Sequence, residues 1–328
     1  MRAALYERTG SPHEVLYISD VPAPAPGPGE VRIKMAWSGV NPSDVKSRAG
    51  ARTRVLPFPR IIPHSDGAGV IDDVGSGVPR ERIGERVWTW NAAWGRAFGT
   101  AAEYVALPAS QAVVLPANVD LEVGACLGIP ALTAYHAVNV DGGVSGKSVL
   151  VAGGAGAVGH YAIQIARLMG ARQILSTVSS AEKAALAKAA GADIIVNYKI
   201  EDVAARVREQ TGGRGVDRVI EVDFGANVGL DVQVVKREGE IVVYGSTAPE
   251  IAVPFVPMIL NNVRLSFFIV YNLNEEDRRD ALAGLTSMLA SDTLTHNIAA
   301  RLPFARIADA HALVENGQAS GNVIVEIG

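Results

Sequence analysis

The 328-residue chain has a single cysteine, Cys126. With no second thiol it can form no internal disulfide, and a four-cysteine zinc site is excluded. Cys126 precedes Leu127, where it reads either as a small buried apolar residue or as a reactive thiol. Charge of one sign is also scarce: 30 Lys and Arg against 34 Asp and Glu leave a net charge of −4. No Lys/Arg run stands out, so the electrostatic footprint of a nucleic-acid binder is missing. No stretch reaches the roughly 20 apolar residues that cross a bilayer; the richest lies at residues 263–271. The opening residues 1–14 lack the apolar core of a secretory signal. These absences together predict a cytoplasmic protein with no membrane partner.

What is present describes a globular enzyme-sized chain. Apolar residues make up 48% and charged residues 20%, enough to build packed cores. The length predicts two domains rather than one. Up to about residue 120 the pattern is β-rich, with short alternating segments at 3–6, 31–37, 69–74, 86–90 and 102–106 separated by Gly and Pro. Residues 22–29 alternate proline with alanine and glycine and predict an extended surface connector, because proline offers no N–H to a ladder.

Beyond Asp120 apolar runs alternate with helical segments, the signature of a parallel sheet flanked by helices. Strands are predicted at 148–152, 173–177, 194–196, 216–222 and 240–244. Val158, Ala162, Ile165, Ala166 and Met169 form one helical stripe that Gly170 stops. The next helix is predicted to start at Ser179 and Ser180, with Glu182 completing a capping box from Ser179, and to end at Gly191. Residues 275–290 read as an amphipathic helix. Residues 322–327 alternate like a strand able to complete the first domain's sheet, which would make the nucleotide domain an insertion.

The motif with the most chemistry is Ala152-Gly153-Gly154-Ala155-Gly156-Ala157-Val158-Gly159, between a buried strand and a well-formed helix. Gly154, Gly156 and Gly159 supply G-x-G-x-x-G: a tight turn, close backbone approach to a pyrophosphate, and close packing of the helix. The helix N-terminus adds free N–H groups and a favourable dipole. At the end of the second strand an NAD enzyme usually carries an acid for the ribose 2′-hydroxyl. Here Thr177-Val178-Ser179-Ser180 has none, and Lys183 follows. Ser179, Ser180 and Lys183 read either as a 2′-phosphate site, which favours NADPH, or as helix caps and a solvated lysine.

With the loop placed, several short segments in order carry a resemblance: Gly39-Val40-Asn41-Pro42-Ser43-Asp44, Asp66-Gly67-Ala68-Gly69-Val70, Gly84-Glu85-Arg86-Val87, Ala102-Glu103-Tyr104-Val105, Leu132-Thr133-Ala134-Tyr135, Asn197-Tyr198 and Gly215-Val216-Asp217. The chain resembles the medium-chain dehydrogenase/reductase superfamily, in particular the zeta-crystallin-like NADPH:quinone oxidoreductases. The resemblance implies an α/β protein with a GroES-like β-rich catalytic domain (residues 1–122 and 273–328) and a Rossmann domain with a doubly wound parallel sheet (residues 123–272). It also implies an interdomain substrate cleft and a homodimer joined at a Rossmann edge strand. The run 265–270 reads as that edge strand or as one buried within the monomer.

By resemblance, Asn41 and Ser65 of this chain stand where zinc-using members of the superfamily place a cysteine and a histidine; His64 is one position off. Neither Asn nor Ser is a usual zinc ligand, so no metal is expected. By resemblance, Asn41 and Thr133 lie beside the nicotinamide, Tyr198 near the adenine or its 2′-phosphate, Tyr244 and Ser246 on the nicotinamide-ribose side, and Phe268 and Asn322 as further cofactor contacts. Ala155, Ala157 and Val158 complete the glycine loop. Asn41 also reads as a turn residue before Pro42, and Thr133 as an ordinary helix hydroxyl. Lys46, Arg54, His64 and Trp90 are assigned to the substrate cleft, with Arg52 nearby in sequence; Trp88, Trp90 and Trp94 read equally as cleft-lining or packing residues, and His64 as cleft-lining or structural. Lys46 stands where relatives often have tyrosine.

The expected reaction is hydride transfer from NADPH to a quinone or related conjugated carbonyl, which spreads the developing charge without a metal. An NADPH-dependent 2-alkenal, enone or enoyl-thioester reductase shares every cofactor residue. A non-catalytic NADPH-binding structural or RNA-associated protein is the alternative of another class.

Overall fold

Alternating burial builds the first sheet. In the computed structural model, which describes residues 1–51 and 55–328, β1 (Arg2–Leu5) pairs antiparallel with β2 (Tyr17–Asp20). Along β3 (Glu30–Val40), Val31, Ile33 and Met35 are buried while Lys34 is exposed, the period-2 pattern of a half-covered sheet. Antiparallel to it run β4 (Asp66–Val74) on one side and β6 (Tyr104–Pro108) at its start; β5 (Arg86–Thr89) and β7 (Ala112–Val114) extend the sheet from β4. The prolines at 22–28 stay outside every strand, exposed or half-buried.

The second sheet has no such alternation. Strands β8 (Ser148–Val151), β9 (Gln173–Val178), β10 (Ile194–Asn197), β11 (Val216–Glu221), β12 (Val235–Val243) and β13 (Arg264–Phe267) are all parallel, in the order β10-β9-β8-β11-β12-β13. Every residue of β8 is buried, because helices cover both faces of such a sheet. The order reverses between β8 and β11, and ligands of doubly wound sheets bind at that switch, outside the carboxyl ends of the strands. β13 lies at an edge of this sheet, paired among the described residues with β12 alone, and its residues are exposed or half-buried.

β14 (Ile298–Pro303) and β15 (Asn322–Glu326) return to the first sheet, where Val323–Glu326 pair antiparallel with Trp37–Val40. Leu5, Ile33, Leu107, Leu302 and Val325 therefore share one core although they come from both chain ends. Each such fully buried aliphatic side chain contributes about 2 kcal/mol. The chain divides into two compact units, Met1–Pro130 with Thr286–Gly328, and Ala131–Leu285.

Some expected boundaries move for identifiable reasons. β12 begins at Val235 rather than 240, because its first half is interrupted by a bulge: Val216 pairs with Val235 but Arg218 with Glu240, and Glu238 takes φ +61°. The capping box predicted from Ser179 shifts by one residue. Ser180 is the cap, its Oγ accepting the Lys183 N–H at 3.3 Å, so Glu182 is not the third helical residue. The second unit buries an ion pair, Arg218 with Glu240. Arg218, fully buried, donates to Glu240 at 2.7 Å and to the carbonyls of Val138 (2.7 Å) and Val140 (2.6 Å), closing the C-terminal end of the Leu132–Asn139 helix. Among the described residues no helix is long and apolar enough to cross a membrane.

Candidate functional site

The glycine loop leaves β8 and enters the Ala157–Leu168 helix without a side-chain cap, so the helix N-terminus carries only backbone donors. The turn itself is made by Gly153, at φ +68°, and not by Gly154, to which the motif spacing assigns it. Gly154 is required for another reason: a Cβ there would lie 2.0 Å from Ser176 Oγ on β9. A Cβ on Gly159 would lie 2.3 Å from the Gly153 carbonyl, so this glycine lets the helix close onto the loop. At Gly156, the helix N-cap, a Cβ would meet nothing nearer than that carbonyl at 3.2 Å. With that one close contact and no other protein atom beyond its chain neighbours within 4 Å, the position suits the approach of a ligand. Thr177 ties the loop down, its Oγ1 accepting from Gly153 N–H at 3.2 Å and its carbonyl from Gly154 N–H at 3.2 Å.

Beside the loop, β9 ends without a carboxylate. Lys183 Nζ donates to Ser179 Oγ at 3.1 Å, and Ser180 Oγ is one residue away, so the ammonium and both hydroxyls are gathered at this strand end. Tyr198 joins them: its backbone N–H donates to the Val178 carbonyl at 3.0 Å, and its half-exposed ring follows β10. A cationic group with hydroxyl donors fits a phosphate and would be mismatched to an unphosphorylated ribose edge, which calls for an acceptor.

Further along the same carboxyl edge, Tyr244 follows β12 and Phe268 follows β13, with ring centroids 6.4 Å apart. Phe268 also meets His136 edge-on at 4.5 Å; His136 lies one turn after the buried Thr133 on the Leu132–Asn139 helix. Ser246 Oγ donates to the Ala248 carbonyl at 2.8 Å in a local turn. Beneath them, Glu221 at the end of β11 accepts from Asp223 N–H at 2.5 Å and from Asn227 Nδ2 at 3.0 Å. The buried Asp231 carboxyl is coupled electrostatically to Glu221. Burial, then the Glu221 charge, push the Asp231 carboxyl up to about 9, and burial raises Glu221. Burial raises the Tyr244 phenol as well.

In the first unit, Asn41 is the N-cap of the Pro42–Ala49 helix, so the turn reading is correct as far as its backbone goes: its N–H donates to Asp44 Oδ2 at 2.8 Å. Its side chain does something else. Asn41 Nδ2 donates to Asp66 Oδ2 at 2.9 Å, and both residues are buried. Burial, and the nearby Asp44 charge, hold the Asp66 carboxyl well above its ordinary range.

His64, assigned to the cleft from sequence, lies in the interior of its own unit. It is fully buried, with Nδ1 2.7 Å from Ser38 Oγ and Nε2 2.9 Å from His311 Nε2, so both ring nitrogens are taken within its own unit. Burial pushes His64 down to about 3 and drives His311 down as well, helped by the facing His64 and Arg48, so both rings are neutral at pH 7. Trp88 is likewise fully buried as a packing residue, whereas Trp90 is half-buried and Trp94 is 40% exposed. Lys46 is half-buried on the helix after Asn41. Asn322 sits on β15 with its Nδ2 donating to the Asn297 carbonyl at 3.0 Å, which spends one amide hydrogen on the first unit. Arg54, and Arg52 with it, lie outside the described residues. Cys126 is buried, and burial raises its thiol, which fits the small-apolar reading.

A zinc ion does not fit these residues. Asn41 is engaged with Asp66, Ser65 offers a hydroxyl, and His64 has both nitrogens bonded elsewhere. Among the described residues no group of three or more His, Cys, Asp or Glu is placed to hold a metal. The residues that sequence reasoning missed are Asp66, His311, and the Glu221–Asp231 pair. Asp66 meets Asn41 across 25 residues and His311 meets His64 across 247, whereas Glu221 and Asp231 are brought together by the local passage from β11 into the helix that follows it.

Comparison with known proteins places this geometry. Residues 27–117 match the alcohol dehydrogenase GroES-like domain and residues 157–287 the zinc-binding dehydrogenase domain. Quinone oxidoreductase of Homo sapiens is 32% identical over 330 residues, spanning 99% of this chain and 97% of that one. A mycobacterial structure complexed with NADPH is 32% identical with a TM-score of 0.88, covering 99% of this chain and 100% of that chain. A structure described as an NAD-dependent alcohol dehydrogenase is 30% identical with a TM-score of 0.91, covering 100% of each. With its GroES-like β unit, its doubly wound parallel sheet and a relative of this identity along nearly its whole length, the chain belongs to the medium-chain dehydrogenase/reductase superfamily, in the zeta-crystallin-like quinone oxidoreductase family.

Proposed function

We propose that the chain is an NADPH-dependent reductase that passes a hydride to a quinone or a related conjugated carbonyl, without zinc. The observation that carries the cofactor choice is the end of β9, where Lys183 and Ser179 meet at 3.1 Å and no carboxylate is present. NADPH, when bound, supplies the hydride. The chain's own residues bind and orient. Backbone N–H groups at Ala157 and Val158 take the pyrophosphate, while Gly156, whose own N–H donates to the Gly153 carbonyl at 2.9 Å, shapes the loop with Gly154, Ala155 and Gly159. Ser179, Ser180 and Lys183 take the 2′-phosphate, and Tyr198 flanks them. Thr133, Tyr244, Ser246 and Phe268 take the nicotinamide end, with Asn322 assigned to the cofactor more weakly because its amide also serves Asn297. Asn41 orients the cofactor or donates to the oxygen that gains charge, and Lys46 and Trp90 border the substrate.

A conjugated acceptor suits such a site, because its developing charge is delocalised and hydrogen-bond donors suffice to stabilise it. The exposed edge strand β13, with Phe267 and the neighbouring Phe255, Val256, Ile259 and Leu260 all exposed, supports a homodimer in which a second copy covers this edge. A lone buried thiol is compatible with a cytoplasmic setting.

The test is oxidation of NADPH and NADH by the purified, EDTA-treated protein with p-benzoquinone, phenanthrenequinone, hexenal and crotonyl-CoA. Turnover with NADPH that survives EDTA and favours the quinones supports this reading. Preference for hexenal or crotonyl-CoA would select the enone or thioester reductase instead. Tight NADPH binding with no oxidation would overturn the enzymatic assignment, and loss of rate on chelation would overturn zinc independence.

A further inference from the structure

Asp66 opens β4 opposite Gly39 of β3, two residues before Asn41, and the tight pairing leaves its carboxyl in a fully closed space. A Cβ on Gly128 would lie 2.4 Å from Asp66 Oδ1, so only glycine there leaves room for it. Oδ2 accepts two hydrogen bonds, from Asn41 Nδ2 at 2.9 Å and from Ile129 N–H at 3.0 Å. Among the described residues Oδ1 has no partner and no cation pairs with Asp66. A bare carboxylate in such a place is costly, so the neutral acid, accepting through one oxygen only, is the form that the packing favours.

This arrangement has a geometric consequence for Asn41. The amide NH2 group is planar, and its two N–H bonds are fixed relative to each other. Committing one hydrogen to Asp66 therefore sets the direction of the other. We propose that Asp66 is the positioning residue for Asn41, holding one amide hydrogen so that the second is aimed at the cofactor or substrate oxygen. The proposal rests on the assignment of Asn41 to the reaction site made above. Asp66 itself touches neither substrate nor cofactor.

The experiment compares wild type, Asp66→Leu, Asp66→Asn, Asn41→Ala and the Asn41→Ala/Asp66→Leu double variant. Kinetics are measured with NADPH and p-benzoquinone. Exchange of the Asn41 side-chain amide protons is followed by NMR on protein labelled at asparagine nitrogen, and Asn41→Ala identifies the signals. Asp66→Leu is expected to lower kcat by about ten- to a hundredfold, the scale of a misplaced catalytic group, with a smaller change in KM. It adds nothing further in the Asn41→Ala background. Asp66→Asn, which keeps an acceptor oxygen, restores most of the lost rate and the protection of the amide protons. Additive losses in the double variant, or equal amide exchange in wild type and Asp66→Leu, would overturn the proposal. If Asp66→Leu does not fold, folded Asp66→Asn decides it, since more than a tenfold loss or unprotected amide protons there is fatal. Should wild type reduce no acceptor, the assignment of function fails while amide exchange still judges the link between Asp66 and Asn41.

Discussion

The ammonium of Lys183 lies 3.1 Å from the hydroxyl of Ser179, at the end of a parallel strand where a carboxylate would select an unphosphorylated ribose. A charge-assisted bond to a 2′-phosphate is worth about 1.5–3 kcal/mol, and the half-exposed lysine belongs at the low end of that range. Lys183→Ala is therefore expected to raise KM for NADPH by about tenfold while changing KM for NADH by less than about twofold. Initial rates with both cofactors check it. An equal change for the two would mean that Lys183 does not read the phosphate.

Two glycines of the loop, Gly154 and Gly156, should separate by variant. Gly154→Ala drives a methyl to 2.0 Å from Ser176 Oγ and should destabilise the parallel-sheet unit by about 1–3 kcal/mol, the usual penalty for overpacking. Gly156→Ala has only the Gly153 carbonyl at 3.2 Å to accommodate, so it should fold with a melting temperature near that of wild type. Its new methyl nevertheless stands where the backbone must approach the pyrophosphate, and NADPH affinity should fall by about tenfold or more. Thermal unfolding without cofactor and NADPH titration of the two variants give opposite rankings if this division holds.

The same loop shows how far a sequence can be read. Strand, loop and helix were legible because a buried run passes straight into glycines and out into a periodic helix. Which glycine turns the chain was not, since Gly153 lies outside the motif's spacing. β14 carries little apolar signal, because alternate residues along it are exposed and among the described residues it pairs with β15 alone. Asn41 was visible beside Pro42, but its partner Asp66 is 25 residues away and reads as one acid among small residues. His64 looked like a cleft residue for the same reason: Ser38 and His311, which occupy its two nitrogens, reach it only through the folding of β3 and of the Ile307–Glu315 helix onto one core.

Arg218 offers a test of the second core. Its guanidinium is the shared partner of Glu240 and of the carbonyls that end the Leu132–Asn139 helix. Removing it leaves a buried carboxylate and several orphan acceptors. Arg218→Met should therefore cost about 3–5 kcal/mol, the range for breaking one side of a buried pair. Adding Glu240→Leu should recover part of that loss, because the stranded acid goes with it. Urea unfolding of the two variants checks the order, and a double variant no better than the single would locate the loss in the helix carbonyls.

The last expectation concerns pH, and its sign depends on which groups are compared. Asp231 is held at about 9 by burial and by Glu221, against about 3.9 in an unfolded chain. Between those values the folded chain keeps a proton that the unfolded chain has lost. The contribution of this group to stability therefore falls as pH rises, by up to about 1.4 kcal/mol per unit. His64, at about 3, His160, at about 4, and His311, also lowered, work the other way. Their folded forms refuse protons that the unfolded chain accepts below about 6.5, so their contribution is lost as pH falls. The whole-chain profile mixes both trends, but the histidines are common to wild type and Asp231→Asn and cancel in the difference. The asparagine variant carries no proton to lose, and it leaves Glu221 free to ionise against an amide. It should therefore gain on wild type by a few kcal/mol between about pH 5 and about pH 8. Urea denaturation at both ends of that range measures the difference directly. A gap that stays constant would mean that the folded pair holds no extra proton, and that Glu221 and Asp231 are kept apart by some other partner.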